Sequence, residues 1–370
     1  MQSADIGDRT MLIKTSYSKS GMLTAFVVAA AVSITFLRFV SLNENVSFDH
    51  RAYVSFFQVV QAQPLLEIIE YGFVFPYVYI YGVAPFEIGF VIISKMWTSV
   101  FTSPEIAYAS LAATSLGLRV YIMRKLRAPI VWILLLNIYA LTLFEANALR
   151  LGIAATIILC GLYNLVEGRN RRLGFALLAV STLFHLQAAL FVGPFVVSWL
   201  MRDLLSNSKA WLFMSILGMS AAAVVFTQLL PNVGNEKIAE YVLRGTSGSA
   251  GLTVTSLLAL CFLISTFVAR GRGRPQNRSG QIWAAITTAS VPSFILFTTL
   301  TTVAVVGDRA WQLAFLICAT FFITDWVPNQ QKRISFVFLI ALSLVSTVNI
   351  TIRYPLSNFF SPMLPGISSR

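Results

Sequence analysis

Long apolar stretches recur along almost the whole chain, and this repetition restricts what the chain can fold into. The 370 residues are 57% hydrophobic and only 11% charged, whereas soluble globular domains carry about 25% charged residues. A helix needs about 20 mostly apolar residues to cross the hydrocarbon core of a bilayer. We therefore predict an all-α fold, a polytopic bundle of transmembrane helices joined by short loops.

Hydropathy divides the chain into a cytoplasmic N-terminal segment (1–20), a single transmembrane helical domain (21–352) and a C-terminal tail (353–370). The count stays open between eleven and thirteen crossings. An odd number of crossings must lie between Asp49, at the outer end of the first span, and the cytoplasmic basic cluster at Arg124. Only two predicted spans lie there, so either the segment from Pro64 to Ala84 crosses as well or two predicted spans merge. The predicted spans are 22–42, 86–102, 105–123, 129–146, 149–167, 172–187, 188–201, 210–230, 252–269, 282–305, 309–326 and 334–351.

Short basic clusters separate the apolar segments and account for most of the net charge of +12. Loops rich in Lys and Arg mark the cytoplasmic side of a membrane protein, so we place these clusters inside. This arrangement predicts membrane lipid, and no nucleic acid, as the neighbour of the positive charge. The clusters are Arg9/Lys14/Lys19, Arg124/Lys125/Arg127, Arg169/Arg171/Arg172, Arg202/Lys209, Arg270/Arg272/Arg274/Arg278 and Lys332/Arg333.

The polar residues best suited to catalysis or binding lie at the opposite, outer ends of the spans. Ionisable groups near a membrane usually face a bundle interior or an aqueous cavity, so this one-sided set predicts an extracytoplasmic site. Interfacial Arg side chains and a Tyr belt explain single members equally well. The same two readings, sugar stacking and interface anchoring, stay open for the aromatic stretch from Tyr71 to Tyr81. The set comprises Asp49, His50, Arg51, Tyr53, Glu145, Asn147, Arg150, His185, Gln187, Asp308, Arg309, Arg353 and Tyr354.

Several motifs that would indicate other chemistry are missing from the sequence. It contains no phosphate-binding loop, dinucleotide fingerprint, zinc-protease helix or nucleophile elbow. It has only two His and three scattered Cys, so we predict no metal site and no cofactor. It also lacks a DxD-like acidic pair, which argues against a nucleotide-sugar donor held by a cation.

The order of polar landmarks resembles the EpsG-like family, which comprises Wzy-type polysaccharide polymerases. The landmarks are Phe36–Phe39, Asp49–Tyr53, Phe86–Phe90, Ala148–Ala154 and Leu183–Leu190. In that family an Arg opens one span and a Phe-His pair closes the next, and here the spacing from Arg150 to His185 fits. Two departures concern fine substrate detail: Leu151 follows the Arg where the family often has Gln, and Gln187 stands where Pro or Ser is common.

The resemblance implies a membrane glycosyltransferase. Its substrate would be an undecaprenyl-diphosphate-linked oligosaccharide repeat unit, joined into an extracellular or O-antigen-type polysaccharide. The enzyme would lie in the bacterial plasma (inner) membrane with its site facing the periplasm or exterior. A chain-length-determining co-polymerase would be its partner.

This reaction needs charge stabilisation for the leaving diphosphate and a base for the acceptor hydroxyl. We assign Arg150 to the diphosphate and His185 to the base, since an imidazole titrates near neutral pH. Asp49 and Glu87 are rival bases. The predicted substrate-binding residues are Arg51, Tyr53, Arg309 and Arg353.

Two other classes share the outer-face chemistry. A flippase or transporter of lipid-linked oligosaccharides predicts ionisable residues near mid-span, for which Lys95 and Arg119 are the candidates. A membrane acyltransferase or glycan ligase ranks third, because a ligase usually carries a larger outer loop than this chain offers.

Overall fold

A computed structural model describes residues 48–74, 77–78, 86–140, 148–168, 170–200, 254–269, 278–299, 304–324, 335–342 and 344–345. Helices dominate these residues, as predicted. The elements are α1 (Phe48–Ala62), α2 (Leu65–Gly72), β1 (Phe73–Val74), β2 (Tyr77–Val78), β3 (Phe86–Glu87), α3 (Ile88–Val100), α4 (Pro104–Lys125), α5 (Ile130–Ala140), α6 (Leu149–Glu167), α7 (Arg171–Phe184), a 3-10 turn (Leu186–Ala188), α8 (Ala189–Leu200), α9 (Val254–Ala269), α10 (Arg278–Thr299) and α11 (Ala304–Phe322).

Among the described residues, two helices, α4 and α6, are long and apolar enough to cross a membrane. Shorter apolar helices occupy Ile88–Val100, Leu186–Leu200, Leu257–Val268 and Trp311–Phe322. The helix bounds agree closely with the predicted spans, and α6 coincides with 149–167. The predicted spans 22–42 and 210–230, together with the tail 353–370, lie outside the described residues.

The region between Phe48 and Glu87 differs from the prediction. Phe48–Ala62 forms a 15-residue helix, about 22 Å long, which hydropathy missed because polar residues interrupt its apolar face. The described part of the proposed crossing from Pro64 to Ala84 is instead an eight-residue helix and two strands of a three-stranded antiparallel sheet, ordered β1-β2-β3. An eight-residue helix is about 12 Å long, so these residues form no membrane-spanning helix.

Helices α6 and α7 form a tight antiparallel hairpin whose turn is specified locally. Gly168 ends α6 in the left-handed conformation with φ 74°, and Asn170 caps α7 by accepting a hydrogen bond from the Leu173 amide at 3.0 Å. Gly161 and Gly174 face each other, since a β-carbon on Gly161 would lie 2.8 Å from the Gly174 carbonyl oxygen. The two backbones are therefore in direct contact, which fixes the height of one helix against the other.

The described residues pack around two buried clusters of different character. A large cluster of mainly aliphatic side chains joins α4–α8 with α9–α11. A smaller, aromatic cluster joins α1, the sheet, α3 and the start of α4 and α6. In the aromatic cluster the rings of Phe56 and Phe86 have centroids 3.9 Å apart and are tilted by 31° to each other. This cluster surrounds the site described next.

Candidate functional site

Arg150 and His185 lie at the same end of the α6–α7 hairpin. Arg150 is the second residue of α6, and His185 follows the last residue of α7. Because the two helices are antiparallel, the start of one is level with the end of the other. The structure therefore brings together the two residues to which the sequence analysis gave the diphosphate and the base.

Glu87 joins these two residues, although it lies 63 and 98 positions away from them in sequence. Arg150 Nη1 donates to Glu87 Oε2 in an ion pair. His185 Nδ1 lies 2.9 Å from Glu87 Oε1, and the backbone N–H of Leu186 donates to the same oxygen at 3.3 Å. The carboxylate is 1% exposed, so it forms a buried bridge between guanidinium and imidazole.

The position of Glu87 depends on a close approach between α3 and α7. Strand β3 ends at Glu87 and α3 begins at the next residue. A β-carbon on Gly89 would lie 2.8 Å from the Leu183 carbonyl oxygen, so only glycine allows the two backbones this close. The contact holds Glu87 beside the residue that follows α7, His185.

Three neighbours hold the Arg150 side chain. Besides the ion pair with Glu87, the Tyr53 hydroxyl hydrogen-bonds to the guanidinium, whose central carbon lies 4.6 Å from the centre of the Phe86 ring. The Nε atom is buried without a hydrogen-bond partner, although buried donors are paired in the great majority of cases. The side chain remains 13% exposed. Arg150 therefore combines an unpaired donor with a partly exposed side chain.

The two ring nitrogens of His185 have different partners. Since a carboxylate only accepts, Nδ1 carries a proton and donates to Glu87. Nε2 lies 3.0 Å from Gln187 Oε1. The Gln187 carboxamide can accept from a protonated Nε2, or donate to a neutral one after a half-turn of its amide. Gln187 is thus a partner for both protonation states of the imidazole.

The other predicted site residues divide into two groups. Tyr53 contacts Arg150 as described above, and Arg309, in the second turn of α11, lies close enough for its charge to act on His185. Asp49 and Arg51 belong to the first turn of α1, but their side chains lie outside the described residues, as does all of Arg353.

The two cations assigned to mid-span have structural partners. Lys95 Nζ donates to the backbone carbonyls of Val60 and Gln63 at 2.8 and 2.6 Å, at the C-terminal end of α1. Arg119 is fully buried and donates to the Gly152 carbonyl at 3.2 Å and weakly to Thr156 Oγ1. Both side chains satisfy helix backbone or hydroxyl groups between packed helices.

Within the described part of the chain, no group of His, Cys, Asp and Glu could hold a metal ion. The chemistry of the cluster is that of an acid–base pair beside a guanidinium. The sequence analysis left Gln187, Phe86 and Gly89 without a role. Phe86 and Gly89 belong to the Phe86–Phe90 motif, which was the signal that could have indicated them. The contact of Gln187 with the imidazole depends on the 3-10 turn Leu186–Ala188, which the sequence analysis did not predict.

These features define a class: a helical membrane protein with a buried guanidinium–carboxylate–imidazole cluster at one end of a helical hairpin. The sequence matches the EpsG family over residues 26–363, so the chain belongs to the EpsG family. This family is associated with polysaccharide polymerisation. Comparison with curated proteins gave no match, and no solved structure matches either.

Proposed function

We propose that the protein polymerises undecaprenyl-diphosphate-linked oligosaccharide repeat units at the outer face of the plasma membrane. The observation that carries this proposal is the Arg150–Glu87–His185 cluster, which supplies an anion-binding group and a base within one buried network. Membership of the EpsG family supports the same chemistry. The product would be an extracellular or O-antigen-type polysaccharide.

The reaction exchanges one bond to the donor sugar for another. The acceptor hydroxyl oxygen attacks the anomeric carbon of the donor glycan, and the bond from that carbon to the diphosphate breaks. In our proposal His185 Nε2 takes the hydroxyl proton, and the undecaprenyl diphosphate leaves with the bonding electron pair. The proton later passes to water, which returns His185 to its starting state.

Arg150 would stabilise the charge that grows on the leaving diphosphate. A guanidinium presents five donors in a fork that fits phosphate oxygens. One of those donors, Nε, has no partner in the structure, and the side chain is partly exposed. Arg309 would add a second positive charge near the same point. Arg51 and Arg353 remain proposed helpers on sequence grounds.

Glu87 fits a positioning role better than the role of rival base. Its Oε2 accepts from Arg150, and its Oε1 accepts from His185 and the Leu186 amide. A carboxylate with both oxygens engaged and a permanent cation beside it binds a proton poorly. Instead it orients the imidazole so that Nε2 points away, as the acid does in a Ser-His-Asp triad.

The transporter alternative gains no support from the described residues. It predicts ionisable residues near mid-span, and the two candidates, Lys95 and Arg119, both have structural partners. The two functions also predict opposite locations for unused substrate in a deletion strain. A polymerase mutant accumulates single repeat units at the outer leaflet, whereas a flippase mutant accumulates them inside.

The direct test incubates purified protein with the lipid-linked repeat unit from a deletion strain, without metal or nucleotide. We expect a ladder of oligomers from the wild type and only single units from Arg150→Ala. Arg172→Ala is the matched control, since Arg172 is an exposed arginine at the opposite end of the hairpin. The polymerase would be refuted if the purified wild-type protein formed no ladder and the deletion strain accumulated repeat units inside the cell.

A further inference from the structure

The short sheet places one aromatic residue directly beside the buried cluster. In the antiparallel pairing of β2 with β3, Tyr77 lies opposite Glu87, and Val78 lies opposite Phe86. Directly opposed residues share one face of a sheet, with β-carbons about 4.5–5.5 Å apart. Tyr77 therefore projects from the same face as the carboxylate that binds Arg150 and His185.

The two faces of the sheet have different surroundings. On one face Val78 and Phe86 are buried in the aromatic cluster. On the other, Glu87 is buried while Tyr77 is only half-buried. Tyr77 is therefore partly accessible on the face of the sheet that carries Glu87, beside the Arg150–Glu87–His185 cluster. Phe73, opposite Val78 on the first face, is 42% exposed and provides a comparison.

We propose that Tyr77 forms the sugar subsite for the acceptor repeat unit, stacking its ring against the apolar face of the sugar whose hydroxyl reacts. This proposal rests on the proposed function and specifies its acceptor site. An aromatic ring offers a flat apolar surface at small entropic cost, and a phenol adds a hydrogen-bonding tip. The acceptor sugar would then sit between the Tyr77 ring and His185 Nε2, while the diphosphate of the donor contacts Arg150.

The same residue type also anchors helices and loops at a membrane interface. An anchor would affect the amount or orientation of protein in the membrane. A sugar subsite would affect affinity for the acceptor and leave the amount of protein unchanged. The two readings can therefore be separated by measurement.

The experiment compares Tyr77→Ala, Tyr77→Phe and Phe73→Ala in purified full-length protein. The probe is the oligosaccharide repeat unit, released from its lipid by mild acid and fluorescently tagged, and its binding is measured by equilibrium dialysis. We expect Tyr77→Ala to weaken binding about tenfold, the upper range for one aromatic contact. Tyr77→Phe keeps the ring and should recover at least half of that loss on a logarithmic scale. Phe73→Ala removes a ring of similar size from the other face and should bind as the wild type does.

Polymerisation is measured on the same proteins with the intact lipid-linked unit. Tyr77→Ala should raise the KM for the acceptor about tenfold with kcat within threefold. Equal effects of Tyr77→Ala and Phe73→Ala, or a loss confined to protein content of the membrane, would overturn the subsite. A tenfold binding loss without any ladder from the wild type would instead overturn the polymerase and leave Tyr77 as a glycan contact.

Discussion

Two arginines lie at the first turns of helix α6, Arg119 as a neighbour from α4 and Arg150 as a residue of α6 itself. They differ in whether their neighbours satisfy the guanidinium donors. Arg119 is 0% exposed, and its partners include the Gly152 carbonyl and the Thr156 hydroxyl between α4 and α6. Arg150, two residues before Gly152, is partly exposed, pairs with Glu87 and keeps an unpartnered Nε. The same residue type thus packs two helices together at one position and belongs to the candidate functional site at the other.

The comparison shows why burial of a charge does not by itself indicate function. A buried guanidinium must be satisfied by hydrogen bonds, and helix backbone and hydroxyl groups contribute to this at Arg119. At Arg150 the neighbours are the Glu87 carboxylate, the Tyr53 phenol and the Phe86 ring, and the Nε donor has no hydrogen-bond partner. An unpaired guanidinium donor close to an imidazole, the proposed general base, is the feature that separates Arg150 from Arg119.

The largest expected effect is on Arg150. Removal of a group that stabilises transition-state charge typically lowers kcat by about 10²–10³-fold, and we expect Arg150→Ala to reach the upper end. Arg150→Lys should recover little, because an ammonium cannot replace the planar fork. The measurement is the rate of ladder formation per folded protein, with Arg172→Ala as control. If Arg150→Ala polymerised at the wild-type rate, Arg150 would have a structural role only, as we expect for Arg119.

The next largest effects are expected from substitution of His185, the proposed base, and Glu87, its proposed positioning residue. His185→Ala is expected to lower kcat by about 10²-fold or more, and added imidazole should restore part of the rate if the missing group is a proton acceptor. Glu87→Gln keeps the shape of the side chain but removes the charge that holds both partners, so we expect kcat to fall as well, by less than the roughly 10⁴-fold loss seen for the buried acid of a Ser-His-Asp triad.

Glu67→Gln tests charge loss on an exposed carboxylate near the same sheet and should change nothing. A failure of imidazole to rescue His185→Ala, with normal folding, would assign His185 a packing role.

Arg119 should show the opposite pattern. Arg119→Leu removes hydrogen bonds between α4 and α6, and we expect a loss of about 1–3 kcal/mol in the free energy of unfolding. The Gly152 carbonyl and the Thr156 hydroxyl, which Arg119 contacts, are not members of the Arg150–Glu87–His185 cluster, so we expect kcat of the folded fraction to stay close to that of the wild type. Thermal unfolding in detergent and ladder assays on the same sample give the two numbers. A large kcat loss at unchanged stability would contradict the structural role.

Lys95 should give the smallest effect. Its ammonium binds carbonyls at the C-terminal end of α1, an interaction typically worth about 0.3–1 kcal/mol, and Lys95→Met keeps most of the apolar stem. We expect a small shift of the unfolding midpoint and wild-type transport and polymerisation phenotypes in cells. Accumulation of repeat units inside cells carrying Lys95→Met would revive the transporter.

Hydropathy predicted most of the described helices because an apolar stretch of suitable length has few alternatives in a membrane. It missed the helix Phe48–Ala62, whose Tyr53, Phe56 and Phe57 face the aromatic cluster while polar residues lower the average. It also could not predict a sheet of two-residue strands, because such strands depend on tertiary context.

The sequence analysis named Arg150, His185 and Glu87 as candidates, but it did not predict how they are arranged. Arg150 and His185 follow from helix ends that must be level in a hairpin. The bridge through Glu87 did not follow, because it depends on the Gly89 approach to Leu183, a contact between segments far apart in sequence. The contacts of both Glu87 oxygens with Arg150 and His185 also favour our proposal that Glu87 is a positioning residue, whereas the sequence analysis gave it as a rival base.

The bridge through Glu87 has a consequence for biogenesis. The acid is translated 63 residues before its guanidinium partner, which corresponds to about 3–13 s at typical synthesis rates of about 5–20 residues per second. Throughout that interval an unpaired carboxylate near the bilayer is costly, so we expect Glu87 to stay protonated or hydrated until α6 is inserted. We therefore expect the buried ion pair, and with it the final packing of α3 against the α6–α7 hairpin, to form only after Arg150 has been inserted.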